Sequence, residues 1–123
     1  MPFEASHFNK ALGIKIVELH EDGATLRLPL QPEHSNGAGM THGGVIATLA
    51  DAAVGVAITK VLKRRCATIE LKINYLSPAI EGELSARSYI LRAGKRTLVA
   101  RVEVHCGETH VAEALMTFAL FVD

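Results

Sequence analysis

The stretch THGGVIATLADAAVGVAITKVLKRR, residues 41–65, decides how the rest of the chain reads. Two glycines, Gly43 and Gly44, give way to a run of alanine, leucine, valine and isoleucine that no proline interrupts. Such a run favours a helix, and it is the only long helical segment in the sequence. The helix is expected to start at Gly43 with Thr41 as its cap and to continue to about Arg65. Lys60, Lys63, Arg64 and Arg65 crowd its end, where the helix dipole favours cations. Its apolar character extends all round for about four turns, which predicts burial on most sides. One carboxylate, Asp51, interrupts it.

On either side the hydrophobic period changes to two. GIKIVELH (13–20) and GATLRLPL (23–30) flank a turn at Glu21–Gly23. In the second, Ala24, Leu26, Leu28 and Leu30 alternate with Thr25, Arg27 and Pro29, as in a half-buried strand. Residues 31–42, QPEHSNGAGMTH, form a polar loop of a length that tends to carry function. Beyond the helix, Ile69, Leu71, Ile73 and Tyr75 alternate with polar residues in TIELKINYL (68–76). Three more strand-like runs follow, 84–94, 97–106 and 109–122, separated by short turns. Residues 4–11 are expected to form a short opening helix. The pattern predicts a single α+β domain spanning 1–123, an antiparallel sheet of about six strands wrapped around one long central helix.

Composition narrows the function classes. Thirteen basic residues balance thirteen acidic ones, so no charge excess points to nucleic acid or an anionic membrane as partner. Cys66 and Cys106 are too few for a disulfide framework and form no C-x-x-C pair, which fits free thiols in a reducing cytoplasm. The opening residues MPFEASHFNK lack the apolar core of a signal peptide. The apolar run Val45–Ile58 is shorter than the ~20 residues of a membrane span and contains Asp51. A soluble cytoplasmic protein is the expectation. The histidines at 7, 20, 34, 42, 105 and 110 show no metal-binding spacing, and no G-x-S-x-G elbow is present. Neither a metal nor a bound cofactor is expected.

Two features remain. HGG is either a loop turning into a helix, with glycine relieving steric limits, or a place where Gly43 and Gly44 leave N–H donors bare for an anion or a developing oxyanion. Asp51 shares a slim stripe with Gly44, Thr48 and Gly55. It is either satisfied structurally at an interface or chemically employed. It lies roughly 10 Å along the helix from Gly44, too far to act on a carbonyl held by its own helix's amides. If the two features cooperate, they come from different copies of the chain, with helices packed antiparallel about a two-fold axis.

The motif NGAGMTHGGVIATLAD, Asn36 to Asp51, resembles the signature of hotdog-fold acyl-CoA thioesterases. It is most similar to the branch containing the phenylacetic-acid-pathway thioesterases and the mammalian thioesterase-superfamily-member-2 protein. The resemblance continues in TIELKINYLSPAIEGE, GKRTLVARVEV and A-x-A-L-M-T-F, and so covers almost the whole chain. It implies an enzyme that hydrolyses small, medium or aryl acyl-CoA thioesters, with coenzyme A present only as part of the substrate. Gly43 would supply the oxyanion-hole N–H, with Gly44 beside it at the substrate. Asp51 would act as general base or nucleophile. Asn36 would hold the thioester or the water, Thr68 would position the water, and His42 would fix the loop. Arg92, Lys95 and Arg96, near the G-K-R turn, would meet the phosphates of coenzyme A, although such charges also serve as solvated ends of elements. A homodimer or homotetramer is implied. Two other readings share the fold. An acyl dehydratase or hydratase would pair an acid with a histidine, for which His42 is the only motif candidate. A non-catalytic acyl-CoA-binding protein would usually add a DNA-binding segment, and it gives no reason to retain Asp51.

Overall fold

The computed structural model describes residues 6–122. Ser6 caps a short helix α1, His7–Leu12, by accepting from the Asn9 N–H; residues 4 and 5 of the expected helix lie outside the described residues. Strands β1 (Lys15–His20) and β2 (Gly23–Pro29) form a hairpin, and the loop after them holds a 3-10 turn at Pro32–His34. Helix α2 runs Gly43–Val56 and continues through a wider π turn at Ala57–Val61. Then come β3 (Cys66–Tyr75), β4 (Glu83–Ala93), β5 (Thr97–Cys106) and β6 (Thr109–Leu120). The six strands make one antiparallel sheet in the order β1-β2-β4-β5-β6-β3, with α2 against its inner face. This is the hotdog arrangement that the sequence resemblance implies.

The period-two pattern places the core. Ala24, Leu26 and Leu28 of β2, Leu84 and Ala86 of β4, and Leu98, Ala100, Val102 and Val104 of β5 are fully buried. They meet Leu49, Ala53, Val54 and Ile58 from the inward side of α2. The sheet thus accounts for the helix's apolar composition. With its π turn the helix is 19 residues long, at a mean hydropathy of 1.6, longer than the Val45–Ile58 run and long enough by length and composition to cross a bilayer. Only its sheet-facing side is covered, however. The stripe of Gly44, Thr48, Asp51 and Gly55 stays open, so the expectation of burial on most sides is corrected.

Two helix boundaries also differ from expectation. The cap is His42, whose Nδ1 accepts from the Gly44 N–H at 3.0 Å. Thr41 is instead held in the loop, its N–H donating to the Ala79 carbonyl. The helix ends at Val61 rather than Arg65 because Lys63 turns into the left-handed region, φ 57°, and Arg64 reaches back to the Lys95 and Phe121 carbonyls. A third difference concerns β3. Ile69, Leu71 and Tyr75 are 59%, 37% and 49% exposed, because β3 is an edge strand with no neighbour beyond it among the described residues.

Gly23 shows how closely β2 and β4 approach. It begins β2, and a Cβ there would overlap the Ser88 carbonyl oxygen and stand 2.7 Å from its carbon. The Ser88 hydroxyl, fully buried, accepts from the Ala24 N–H and donates to the Ala53 carbonyl, tying this point of the sheet to α2. Gly23→Ala is therefore expected to destabilise the fold by about 3 kcal/mol or more, since the obstacle is backbone that cannot swing aside. In thermal unfolding this is a fall in Tm of roughly 10 °C or more. A shift under about 2 °C would mean that the strands separate easily here.

Candidate active site

Asp51 stands in the wall of a groove of about 790 Å³ along the open side of α2. The helix supplies Thr48, Asp51, Ala52 and Gly55; β3 supplies Cys66 and Thr68; α1 and β1 close the other side with Phe8 and Ile16. The carboxylate is half-buried, and the Thr68 hydroxyl donates to its Oδ1 at 2.6 Å. A register shift between Thr68 and Glu70 in the β3–β6 pairing lies beside this contact. Thr68 thus orients Asp51 within one chain and leaves Oδ2 for another partner. Burial pushes the Cys66 thiol up from its ordinary range, and the nearby Asp51 charge pushes it further. Thr48 and Thr59 turn their hydroxyls back to the Gly44 and Gly55 carbonyls, so their polarity is engaged by their own helix.

Gly43 and Asn36 lie elsewhere. They line a second hollow of about 360 Å³ with Met40, Tyr75 and Ala79, and the two hollows share no lining residue. Of the two glycine donors expected to be bare, Gly44 is engaged by His42, while the Gly43 N–H has no acceptor among the described residues. His42 therefore has a definite task in the helix start. With Nδ1 accepting, the neutral ring carries its proton on Nε2. Asn36 Oδ1 accepts from the Ala38 and Met40 N–H groups at 2.8 and 3.1 Å, which folds the loop and leaves the amide NH₂ as its remaining donor. Tyr75, which the sequence marks only as one of an alternating set, donates its hydroxyl to the Gly43 carbonyl at 2.7 Å. Its ring would lie 3.1 Å from a Cβ on Gly43, so a larger residue there would make the ring give way by a few tenths of an ångström.

The helix geometry keeps the two hollows apart. The eight residue steps from Gly43 to Asp51 span about 12 Å along the axis. Arg92, Lys95 and Arg96 are exposed at the β4–β5 turn and line neither hollow. They sit at the end of the sheet where β3 begins, since Thr97 pairs with Ala119 and Cys66 with Leu120. Lys60, from the π turn, does reach the wall of the Asp51 groove; as one of several cations at a helix end it carried no separate signal. Among the described residues, no three histidine, cysteine, aspartate or glutamate side chains gather as a metal ion would require. Cys66 and Cys106 are both free.

Comparison with known proteins places the chain in a wider group. The family model described as "Thioesterase superfamily" matches residues 38–113. The medium/long-chain acyl-CoA thioesterase YigI of Escherichia coli strain K12 is 36% identical, over 90% of this chain and 83% of that protein. Among solved structures, the conserved protein PA5202 of Pseudomonas aeruginosa superposes with a TM-score of 0.91 at 34% identity, covering 95% of each chain. The E. coli PaaI protein from the phenylacetic acid degradation operon superposes with a TM-score of 0.89 at 26% identity, covering 95% of this chain and 86% of that one.

Proposed function

This chain belongs to the thioesterase superfamily, and on that premise we propose that it hydrolyses acyl-CoA thioesters to the free acid and coenzyme A in the cytoplasm. The observation that carries the reading is the pair of half-sites. One holds a carboxylate oriented by a hydroxyl, the other a bare N–H at a helix start, and one chain keeps them apart. A homodimer, or a homotetramer of two dimers, with antiparallel α2 helices would bring Asp51 of one copy to Gly43 of the other. The exposed apolar edge strand β3 fits burial against a second copy, because an unpaired edge of this kind is otherwise an aggregation hazard.

In the joined site the Gly43 N–H donates to the thioester carbonyl oxygen, aided by the positive end of α2. The Asn36 amide donates to the thioester or to the water. Asp51, with Oδ1 held by Thr68, takes the proton of a water that attacks the carbonyl carbon, or itself attacks that carbon through Oδ2. The tetrahedral intermediate collapses with cleavage of the carbon–sulfur bond, and the leaving thiolate takes up a proton as coenzyme A; on the second route the resulting mixed anhydride of Asp51 is then hydrolysed by a water, which releases the free acid and restores the carboxylate. A thioester lacks the resonance of an amide, so one carboxylate and one preorganised donor suffice. No bound cofactor takes part. A dehydratase reading would need a histidine at the site to share the proton work, and His42, whose Nδ1 caps the helix, lines neither hollow.

Steady-state release of free thiol across a panel of acyl-CoAs tests the proposal. Turnover of at least one class at a kcat/KM above roughly 10⁴ M⁻¹s⁻¹ is expected; no turnover of any acyl-CoA would overturn it. The same assay examines the basic turn. Neutralising Arg92, Lys95 and Arg96 together should raise KM for acyl-CoA about tenfold while sparing a short thioester that lacks the nucleotide. Equal effects on both substrates would assign these charges to stability.

A further inference from the structure

The groove beside Asp51 is more apolar than activation of a water requires. Ile16, Leu26, Val56 and Phe118 line it; of the three threonines in its wall, Thr48 and Thr59 have their hydroxyls turned into the helix and Thr68 donates to Asp51. Gly55 lies one helical turn beyond Asp51, about 6 Å along the axis. A Cβ placed on Gly55 would meet nothing within 4 Å, and its φ is not positive. Within one chain, neither backbone conformation nor close packing therefore calls for glycine, although glycine weakens a helix interior relative to alanine. What the missing side chain does is keep the groove open.

Resting on the thioesterase reading above, we propose that this groove holds the acyl chain of the substrate as an extended aliphatic chain, and that Gly55 is the residue that admits the longer chains. A thioester carbonyl placed at Asp51 leaves an acetyl group short of Gly55, whereas a decanoyl chain must pass it. Arg92, Lys95 and Arg96, the cations offered to coenzyme A, lie outside the groove, and of the residues that line it only Lys60 is cationic, so its apolar walls are left to the acyl part.

The test uses the full-length protein and the variants Gly55→Ala and Gly55→Leu. Two readouts are taken: kcat/KM for acetyl-, hexanoyl- and decanoyl-CoA, and Kd for non-hydrolysable thioether analogues carrying the same chains. For Gly55→Leu, the decanoyl-to-acetyl ratio of kcat/KM should fall by about tenfold or more, with a matching weakening of decanoyl-analogue binding. Gly55→Ala should move both in the same direction by less, with an unchanged or raised Tm because the helix is strengthened. Light scattering should show the same assembly for all three proteins. A uniform fall across chain lengths would place the thiol arm at Gly55 and overturn the proposal. Dissociation of the assembly would place a second copy there, and an unchanged ratio would leave Gly55 without a role in selection; either also overturns it. If the wild type prefers the decanoyl analogue and Gly55→Leu loses that preference, yet neither hydrolyses any acyl-CoA, the acyl groove stands and the hydrolase reading falls.

Discussion

Replacing Asp51 with asparagine is expected to lower kcat for acyl-CoA hydrolysis by about 10²-fold or more while leaving KM nearly unchanged. Asparagine keeps the shape of the side chain. Its carbonyl oxygen can still accept from Thr68, as Oδ1 now does at 2.6 Å. What it loses is the negative charge and basicity needed to take a proton from water or to attack a carbonyl. The loss therefore falls on the transition state rather than on substrate binding. Cys66 provides a check inside the same groove. Burial and then the Asp51 charge hold its thiol above the ordinary range, so removing that charge should lower its pKa and speed its alkylation by iodoacetamide at a fixed pH. Activity within a factor of about three of wild type would mean that Asp51 is structural.

Mixing two inactive variants is expected to restore activity. Asp51→Ala removes the carboxylate, and Gly43→Pro removes the bare N–H at the first helical position, where proline's fixed φ is tolerated. The Tyr75 ring, 3.1 Å from a Cβ at Gly43, must yield by a few tenths of an ångström. Tyr75 is half exposed and can do so, and circular dichroism of the proline variant verifies that it folds. After joint dissociation and reassembly, random mixing makes about half of the dimers heterodimers. Each heterodimer has one doubly defective site and one site with intact Asp51 from one chain and intact Gly43 from the other. Activity should recover to roughly a quarter of wild type. Each variant taken through the same cycle alone is the control. No recovery, with heterodimers verified by mass, would reject a shared site even if Asp51 is catalytic.

These expectations divide between what the chain's order of residues carries and what its folding adds. Local pattern determined the elements. The period of two in Ala24, Leu26 and Leu28 set the buried face of β2, and the unbroken alanine- and leucine-rich run set α2, because backbone geometry alone decides which side chains share a face. The motif from Asn36 to Asp51 also singled out Asp51, since a carboxylate within an apolar helix is costly without a partner or a task. Contacts between residues distant in sequence were beyond that reading. Tyr75 bonds Gly43 across 32 positions, Thr68 bonds Asp51 across 17, and Ser88 reaches both Ala24 and Ala53. No period or spacing encodes such pairs; they exist only once the sheet has curled around the helix. The same holds for His42, whose capping of α2 depends on the path of the loop, and for β3, whose alternating apolar residues promise a buried face that an edge position leaves exposed. Which side of α2 stays open, and therefore that Asp51 and Gly55 share a groove while Gly43 lies apart, was decided by where the sheet ends.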